Sequence, residues 1–168
     1  MRPDVLVLGK GLTAGYLPMS ATAASGRVFA AFLGPDLSAR TLYHGHSYSG
    51  NALAAAVALR HLELLQAWSV LDNVCARSAE LRALLDDRVA PHPAVRAVRL
   101  CGLMGGIELD APEDGRWGRR VCAAAVERGV LLRPLGDVVV VMPPLTITSE
   151  ELHRIVHALV GALDEVTP

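Results

Sequence analysis

A chain of 168 residues that is 52% hydrophobic and 20% charged can bury the core of one ordinary domain. A net charge of −1 with 4% aromatic residues excludes a basic, aromatic-studded nucleic-acid surface, and no charge-free apolar run approaches the roughly 18 residues needed to cross a bilayer. Three cysteines (Cys75, Cys101 and Cys122) without CxxC spacing read as reduced, mostly buried thiols, and without a basic, apolar leader pattern the expected compartment is the cytoplasm.

In chain order, Val5 to Leu8 is a short run of aliphatic residues and reads as a buried strand. It ends at Gly9 and is followed at once by Lys10, the only lysine in the chain, with Gly11 and Gly15 beyond. Glycine neighbours let a bulky group approach the backbone. A partly desolvated ammonium loses its proton more readily, and a neutral amine attacks carbonyls. Lys10 is therefore a candidate Schiff-base lysine; the alternative is a lysine that snorkels from a strand end into water. Residues 12 to 26, rich in small residues, wind onward with a short strand at Ser20 to Thr22. Arg27 to Leu33 reads as a short helix stopped by Gly34-Pro35.

After a loop over 34 to 42 comes Tyr43-His-Gly-His-Ser-Tyr-Ser-Gly-Asn51, rich in hydroxyls and imidazoles. Asn51 is a helix N-cap signal. Ala52 to about Trp68 is helical in pattern, with Leu53, Val57 and Leu64 near one face and alanines that allow close packing. A second helix spans Val70 to Val89, striped by Val70, Val74, Leu81 and Leu85, and ends before Pro91 and Pro93. Val95 to Leu100 and Gly105 to Leu109 read as a hairpin, and Trp117 to Arg128 as an amphipathic helix closed by Gly129. Val130 to Arg133 and Val138 to Met142 form a second strand pair about Leu135-Gly136-Asp137. Thr148-Ser-Glu-Glu151 is a capping box that opens a last helix with Leu152, Ile155, Val156, Leu159 and Leu163 as its stripe. Residues 70 to 168 thus read as a compact α/β unit, and residues 1 to 69 as the end of a different, larger domain.

Four blocks carry a family resemblance: LGKGLTAGYLP, YHGHSYSGNALAAA, CGLMGGIELD and LLRPLGDVVVVMPPLTIT. In this order they resemble the class III aminotransferases, fold-type I enzymes that use pyridoxal phosphate (PLP). The resemblance runs over nearly the whole chain and covers the C-terminal part of such enzymes, which are usually more than twice as long. It implies an α/β fold, with residues 1–69 as the end of the PLP-binding large domain and 70–168 as the small C-terminal domain. The expectation is a truncated product, a late start, or one half of a split enzyme. The aspartate that pairs with the pyridine nitrogen and the residue that stacks on the cofactor ring are expected upstream.

The resemblance also implies roles. Lys10 matches the lysine that holds PLP and shuttles the substrate proton. Ser47 matches the residue whose hydroxyl and N–H bind the cofactor phosphate, with His46 beside it contributing its backbone. In the family this loop reaches across a homodimer into the partner's site. Gly45 and Arg133 match substrate positions, and a guanidinium fork suits a carboxylate. Simpler readings are a satisfied serine at a helix start and a surface arginine at a hairpin. His44 and His46 lack a third metal ligand nearby. Ala52 departs from the family's proline after Asn51, which loosens the helix start but removes no chemistry. The wording HGHSYSGN leans to the biotin-pathway branch, which transfers an amino group from S-adenosylmethionine to 8-amino-7-oxononanoate. The alternatives are another class III ω-aminotransferase and a non-catalytic piece that serves only dimerisation. Gly9-Lys10-Gly11 lacks the spacing of a phosphate-loop motif.

Overall fold

The computed structural model describes residues 2–110 and 116–167. The chain divides into two compact units, 1–68 and 69–168.

In the first unit, strand β1 (Val5–Leu8) pairs antiparallel with β2 (Ala21–Ala24), in the register Val5↔Ala24 to Leu8↔Ala21. The second strand lies one to two residues later than the sequence pattern placed it. The hairpin is clamped at its open end. Asp4 accepts from the Ser25 hydroxyl at 3.0 Å and from Arg27 at 2.6 Å, while the Ser25 amide donates to the Asp4 carbonyl at 2.8 Å. Ser25 in turn caps the short helix α1 (Gly26–Ala30) through the amide of Val28. The expectation that β1 is buried does not hold: all of Val5 to Leu8 are exposed, Val7 at 71%. Aliphatic composition sets strand propensity, but burial needs a covering layer, and this two-stranded ribbon has none among the described residues.

Helix α2 (Ala52–Ala67) begins at Asn51, whose side-chain oxygen accepts from the amides of Leu53 and Ala54. Its buried residues are Ala54 and Ala58, four apart on one face. Leu53, expected on the buried stripe, is exposed, and Val57 and Leu64 are half-buried. The helix packs on the 3₁₀ turn Lys10–Thr13, and at that close approach methyl groups fit where leucines would not.

The second unit is a four-stranded antiparallel sheet in the order β3-β4-β6-β5. Its strands are β3 (Val95–Cys101), β4 (Met104–Leu109), β5 (Arg133–Leu135) and β6 (Val138–Val141). The β5 strand starts where the sequence pattern placed its end, at Arg133, because Pro134 pairs with Val139 across the Gly136-Asp137 turn. The helices are α3 (Val70–Arg88), α4 (Trp117–Glu127) and α5 (Ser149–Val166). Register sorts the sheet into two faces. The row Val98, Ile107, Val139 and Pro134 meets the helices, and Ile107 and Val139 are fully buried. The row Arg99, Gly106, Val140 and Arg133 lies on the opposite face.

The core joins Leu81 and Leu85 of α3 and Val89 just after it with Val121 and Ala125 of α4, and with Leu152, Val156, Leu159 and Leu163 of α5. Each fully buried leucine contributes about 1.5–3 kcal/mol of transfer free energy. The capping box is complete: Thr148 accepts from the amide of Glu151, and the Glu151 carboxylate accepts from the amide and hydroxyl of Thr148. Asn73 donates to the carbonyls of Leu145 and Ile147 and so ties the loop before α5 to α3.

The cysteines depart from the expected pattern. Cys75 and Cys101 are exposed and only Cys122 is buried, where desolvation pushes its thiol above the usual range. Cys75 stands on the outer side of α3, and Cys101 ends an edge strand, so neither position faces the core. Among the described residues no helix is long and apolar enough to cross a membrane, and no group of three His, Cys, Asp or Glu residues could hold a metal ion.

Candidate functional site

Lys10 opens the 3₁₀ turn directly after β1, and its φ of 48° is left-handed. A side chain in that region is held at a cost of about 1–2 kcal/mol. The turn is locked from within. Thr13 is its one buried residue, at 1% exposure, and its hydroxyl donates to the carbonyl of Leu17. The amides of Leu12 and Ala14 close back on the carbonyls of Gly9 and Gly11, and Ala14 is left-handed too. The bonding of Thr13 and the packing of α2 therefore hold Lys10 in place against its own conformational preference.

Lys10 is exposed. The expectation of a partly desolvated amine is corrected here: the strand behind it is itself uncovered, and the turn carries the amine into a concavity open to solvent. That concavity, of about 1190 Å³, is lined by Lys10, by Met19, Ser20 and Thr22 of the returning chain, and by His44, His46, Tyr48, Ser49 and Asn51 of the hydroxyl-rich loop. None of the residues lining it is acidic, so the local field favours an anion.

The loop is a tight turn, with the Ser49 amide donating to the carbonyl of His46 at 2.9 Å. Its ring geometry is specific. The Tyr48 amide donates to His46 Nδ1 at 3.2 Å, and the two rings lie 5.5 Å apart with a tilt of 45°. Gly45 has open space where a Cβ would stand. Of the residues picked out from the sequence, the structure brings Lys10 and His46 onto one concavity. Ser47 is exposed in the same loop but is not among the lining residues. Arg133 belongs to the second unit, exposed at the start of β5 on the face away from the helices.

Sequence reasoning missed Thr13 and Tyr48. Thr13 sits between Leu12 and Ala14 in a stretch that reads as loop, and only its burial reveals the work of its hydroxyl. Tyr48 was visible as part of a polar cluster, but its contribution is a backbone amide, which no side-chain pattern encodes.

The donors present suit a phosphorylated aldehyde. One primary amine can form the covalent link, and imidazole, hydroxyl and amide groups around a turn suit a phosphate. The comparisons with known proteins point the same way. Residues 1–163 match the aminotransferase class-III family, and the chain belongs to that family of pyridoxal-phosphate-dependent aminotransferases. Among curated relatives it is 44% identical, over 98% of its length, to the adenosylmethionine-8-amino-7-oxononanoate aminotransferase of Nitratidesulfovibrio vulgaris. It is 40% identical, also over 98%, to the enzyme of that name from Geobacter sulfurreducens.

Among solved structures it matches the adenosylmethionine-8-amino-7-oxononanoate aminotransferase of Methanocaldococcus jannaschii at 37% identity with a TM-score of 0.89, covering 98% of this chain and 39% of that one. It also matches an amine transaminase from an uncultivated Pseudomonas species in its PLP-bound form, at 33% identity and a TM-score of 0.88, over 98% of this chain and 39% of that one. The chain spans 32% of the first of these curated relatives and 38% of the second.

Proposed function

We propose that this chain is the C-terminal portion of a transaminase of biotin biosynthesis, which moves an amino group from S-adenosylmethionine to 8-amino-7-oxononanoate and yields 7,8-diaminononanoate. The observation that carries this reading is that eight curated relatives, 31–44% identical over 98–99% of the chain, all bear that enzyme's name. In this reading residues 1–69 end the PLP-binding large domain and residues 70–168 form the small C-terminal domain. The protein is a cytoplasmic homodimer whose two sites are shared.

Each residue then has a task. Lys10 Nζ would hold the cofactor, and the same amine is the group that would move the proton at the substrate carbon. Its left-handed turn sets the direction in which the side chain leaves the backbone. Ser47 supplies a hydroxyl and an amide to the cofactor phosphate, in the partner's site, and His46 contributes from beside it. Gly45 leaves room for the substrate, and Arg133 receives the carboxylate of the keto substrate as a bidentate fork. When bound, PLP supplies the electron-withdrawing ring that makes removal of that proton feasible.

The test is a half-reaction assay of the full encoded polypeptide with PLP, using different amino donors. Amino transfer from S-adenosylmethionine, lost in Lys10→Ala, is the expected result. Transfer from alanine or ornithine but not from S-adenosylmethionine would overturn the biotin assignment. That second outcome is the alternative reading, a class III ω-aminotransferase. It is favoured by neighbours such as the (S)-enantioselective omega-transaminase of Thermomicrobium roseum, at 32% identity and a TM-score of 0.87. No transfer from any donor would leave an assembly piece without catalysis.

A further inference from the structure

Of residues 2–68, only Thr13, Ala54 and Ala58 are buried. Helix α2 carries the two alanines and packs on the turn that carries Thr13. The burial of the first unit is thus concentrated at the turn that Lys10 opens. Thr13 is also the one buried polar side chain among the described residues. Valine has nearly the same shape and would bury there without a hydroxyl to satisfy. A hydroxyl at such a point sets direction as well as volume.

That direction runs along the chain. The Thr13 hydroxyl donates to the carbonyl of Leu17, and the Thr13 carbonyl accepts from the amide of Tyr16 at 3.1 Å. Ala14 and Gly15, enclosed by these bonds, are both left-handed. Leu17 and Lys10 both line the concavity, so the tie joins its wall to the base of the lysine. No part of the 43–51 loop takes part in it.

Lys10 stands at φ 48°, which its Cβ disfavours. Without the tie, φ relaxes to negative values and the Cα–Cβ bond leaves the backbone in another direction. The two tasks of the amine respond differently. A covalent link tolerates the shift, because a flexible four-carbon stem can follow the cofactor. Proton transfer does not, because a displaced amine is held only at its base and must still meet the C–H bond.

We propose that Thr13 is a positioning residue for Lys10, and that its buried hydroxyl serves the proton transfer and not the covalent link. This rests on reading Lys10 as the amine that holds PLP. In the step concerned the substrate C–H bond breaks, its proton passes to the neutral Nζ of Lys10, and its electron pair is left to the cofactor ring.

The test uses the full encoded polypeptide with PLP and an amino donor that the wild type accepts, carrying protium or deuterium at the carbon that loses its proton. The readouts are kcat, KM, the isotope effect and borohydride labelling of Lys10. Thr13→Val is expected to lower kcat about ten- to a hundredfold, as a misplaced reacting group does. KM for the donor stays within about twofold, the isotope effect rises and labelling stays complete. Thr13→Ser keeps the hydroxyl and so keeps kcat, although its denaturant midpoint falls with the lost methyl group. If Thr13→Val does not fold, Thr13→Ala and Thr13→Ser, which differ by the hydroxyl alone, decide.

An unchanged kcat and isotope effect in the variants without the hydroxyl overturns the proposal. So does a loss that Thr13→Ser shares in proportion to its stability, or a loss of labelling that matches the loss of kcat. Failure of the underlying reading has a different signature: the wild-type protein itself leaves Lys10 unlabelled or transfers no amino group, and the proposal then falls with it.

Discussion

The backbone of Gly118 lies against the carbonyl oxygen of Gly136 so closely that a Cβ built there would stand well inside the 3.0 Å that real Cβ atoms keep from other atoms. The first turn of α4 therefore touches the β5–β6 turn with no side chain between them. Gly118→Ala must push two backbones apart and is expected to cost about 1–3 kcal/mol, the usual range for overpacking. Gly102→Ala, in a turn at φ +59 with open space around it, is expected to cost nearer 1 kcal/mol, from backbone strain alone. Denaturant midpoints of the two variants check this order, and equal losses would show that the close approach is not limiting.

Ala52 is the first residue of α2, and Asn51 before it has φ −61 and ψ 105. That extended backbone is what a residue preceding proline must adopt. The first helical position needs no intrahelical N–H. Ala52→Pro is therefore expected to stabilise the first unit by about 0.4–1 kcal/mol, by restricting the unfolded chain. A lower denaturant midpoint in this variant would contradict the cap geometry.

The Glu151 carboxyl titrates below the usual range, chiefly because it accepts from the amide of Thr148, then from its hydroxyl, with a further contribution from Arg154. A carboxyl lowered in the folded state stabilises fully above its unfolded value, about 4.3, and loses that contribution as pH falls through the lower folded value. Unfolding curves recorded from pH 6 down to pH 3 should show wild-type stability dropping faster than that of Glu151→Gln below about pH 4.3. Parallel curves for the two proteins would remove the capping box as a source of acid sensitivity.

Lys10 and Ala14 are both left-handed, at φ 48° and 51°. Glycine adopts that region without the Cβ penalty. Lys10→Gly and Ala14→Gly are each expected to raise stability by about 0.5–1 kcal/mol. Only the first should abolish borohydride-trapped PLP. A loss of stability in Lys10→Gly would mean that the side chain contributes more packing than its exposure indicates.

The 168-residue chain without the rest of a full-length relative is expected to bind PLP weakly, since its concavity is open and Lys10 is exposed. Absorbance titration with PLP tests this, and a saturable band lost on Lys10→Ala would contradict it.

The second unit was largely legible in the sequence. Leu152, Val156, Leu159 and Leu163 repeat at helical spacing and are fully buried, and Thr148 to Glu151 spell out their own cap. The start of β5 was misplaced because Leu131 and Leu132 look like strand residues, whereas pairing is set by the Gly136 turn and reaches back only to Arg133. The first unit was legible in its elements but not in its burial. Val5 to Leu8 and Leu53 are apolar, and apolar composition does not say whether a layer covers them. Of the site, Lys10 stood out by its glycine neighbours and by being the lone lysine. The pinning of His46 by the Tyr48 amide could not be read, because it depends on the turn that brings residue 48 back onto residue 46.

The single lysine has a practical corollary. An endoproteinase that cuts only after lysine can sever this polypeptide at one peptide bond, between Lys10 and Gly11. Acylation or reductive alkylation of the amine would shield that bond. The ratio of cut to uncut material on a denaturing gel would then report directly what fraction of molecules carried a covalently occupied side chain, without a chromophore or a turnover assay.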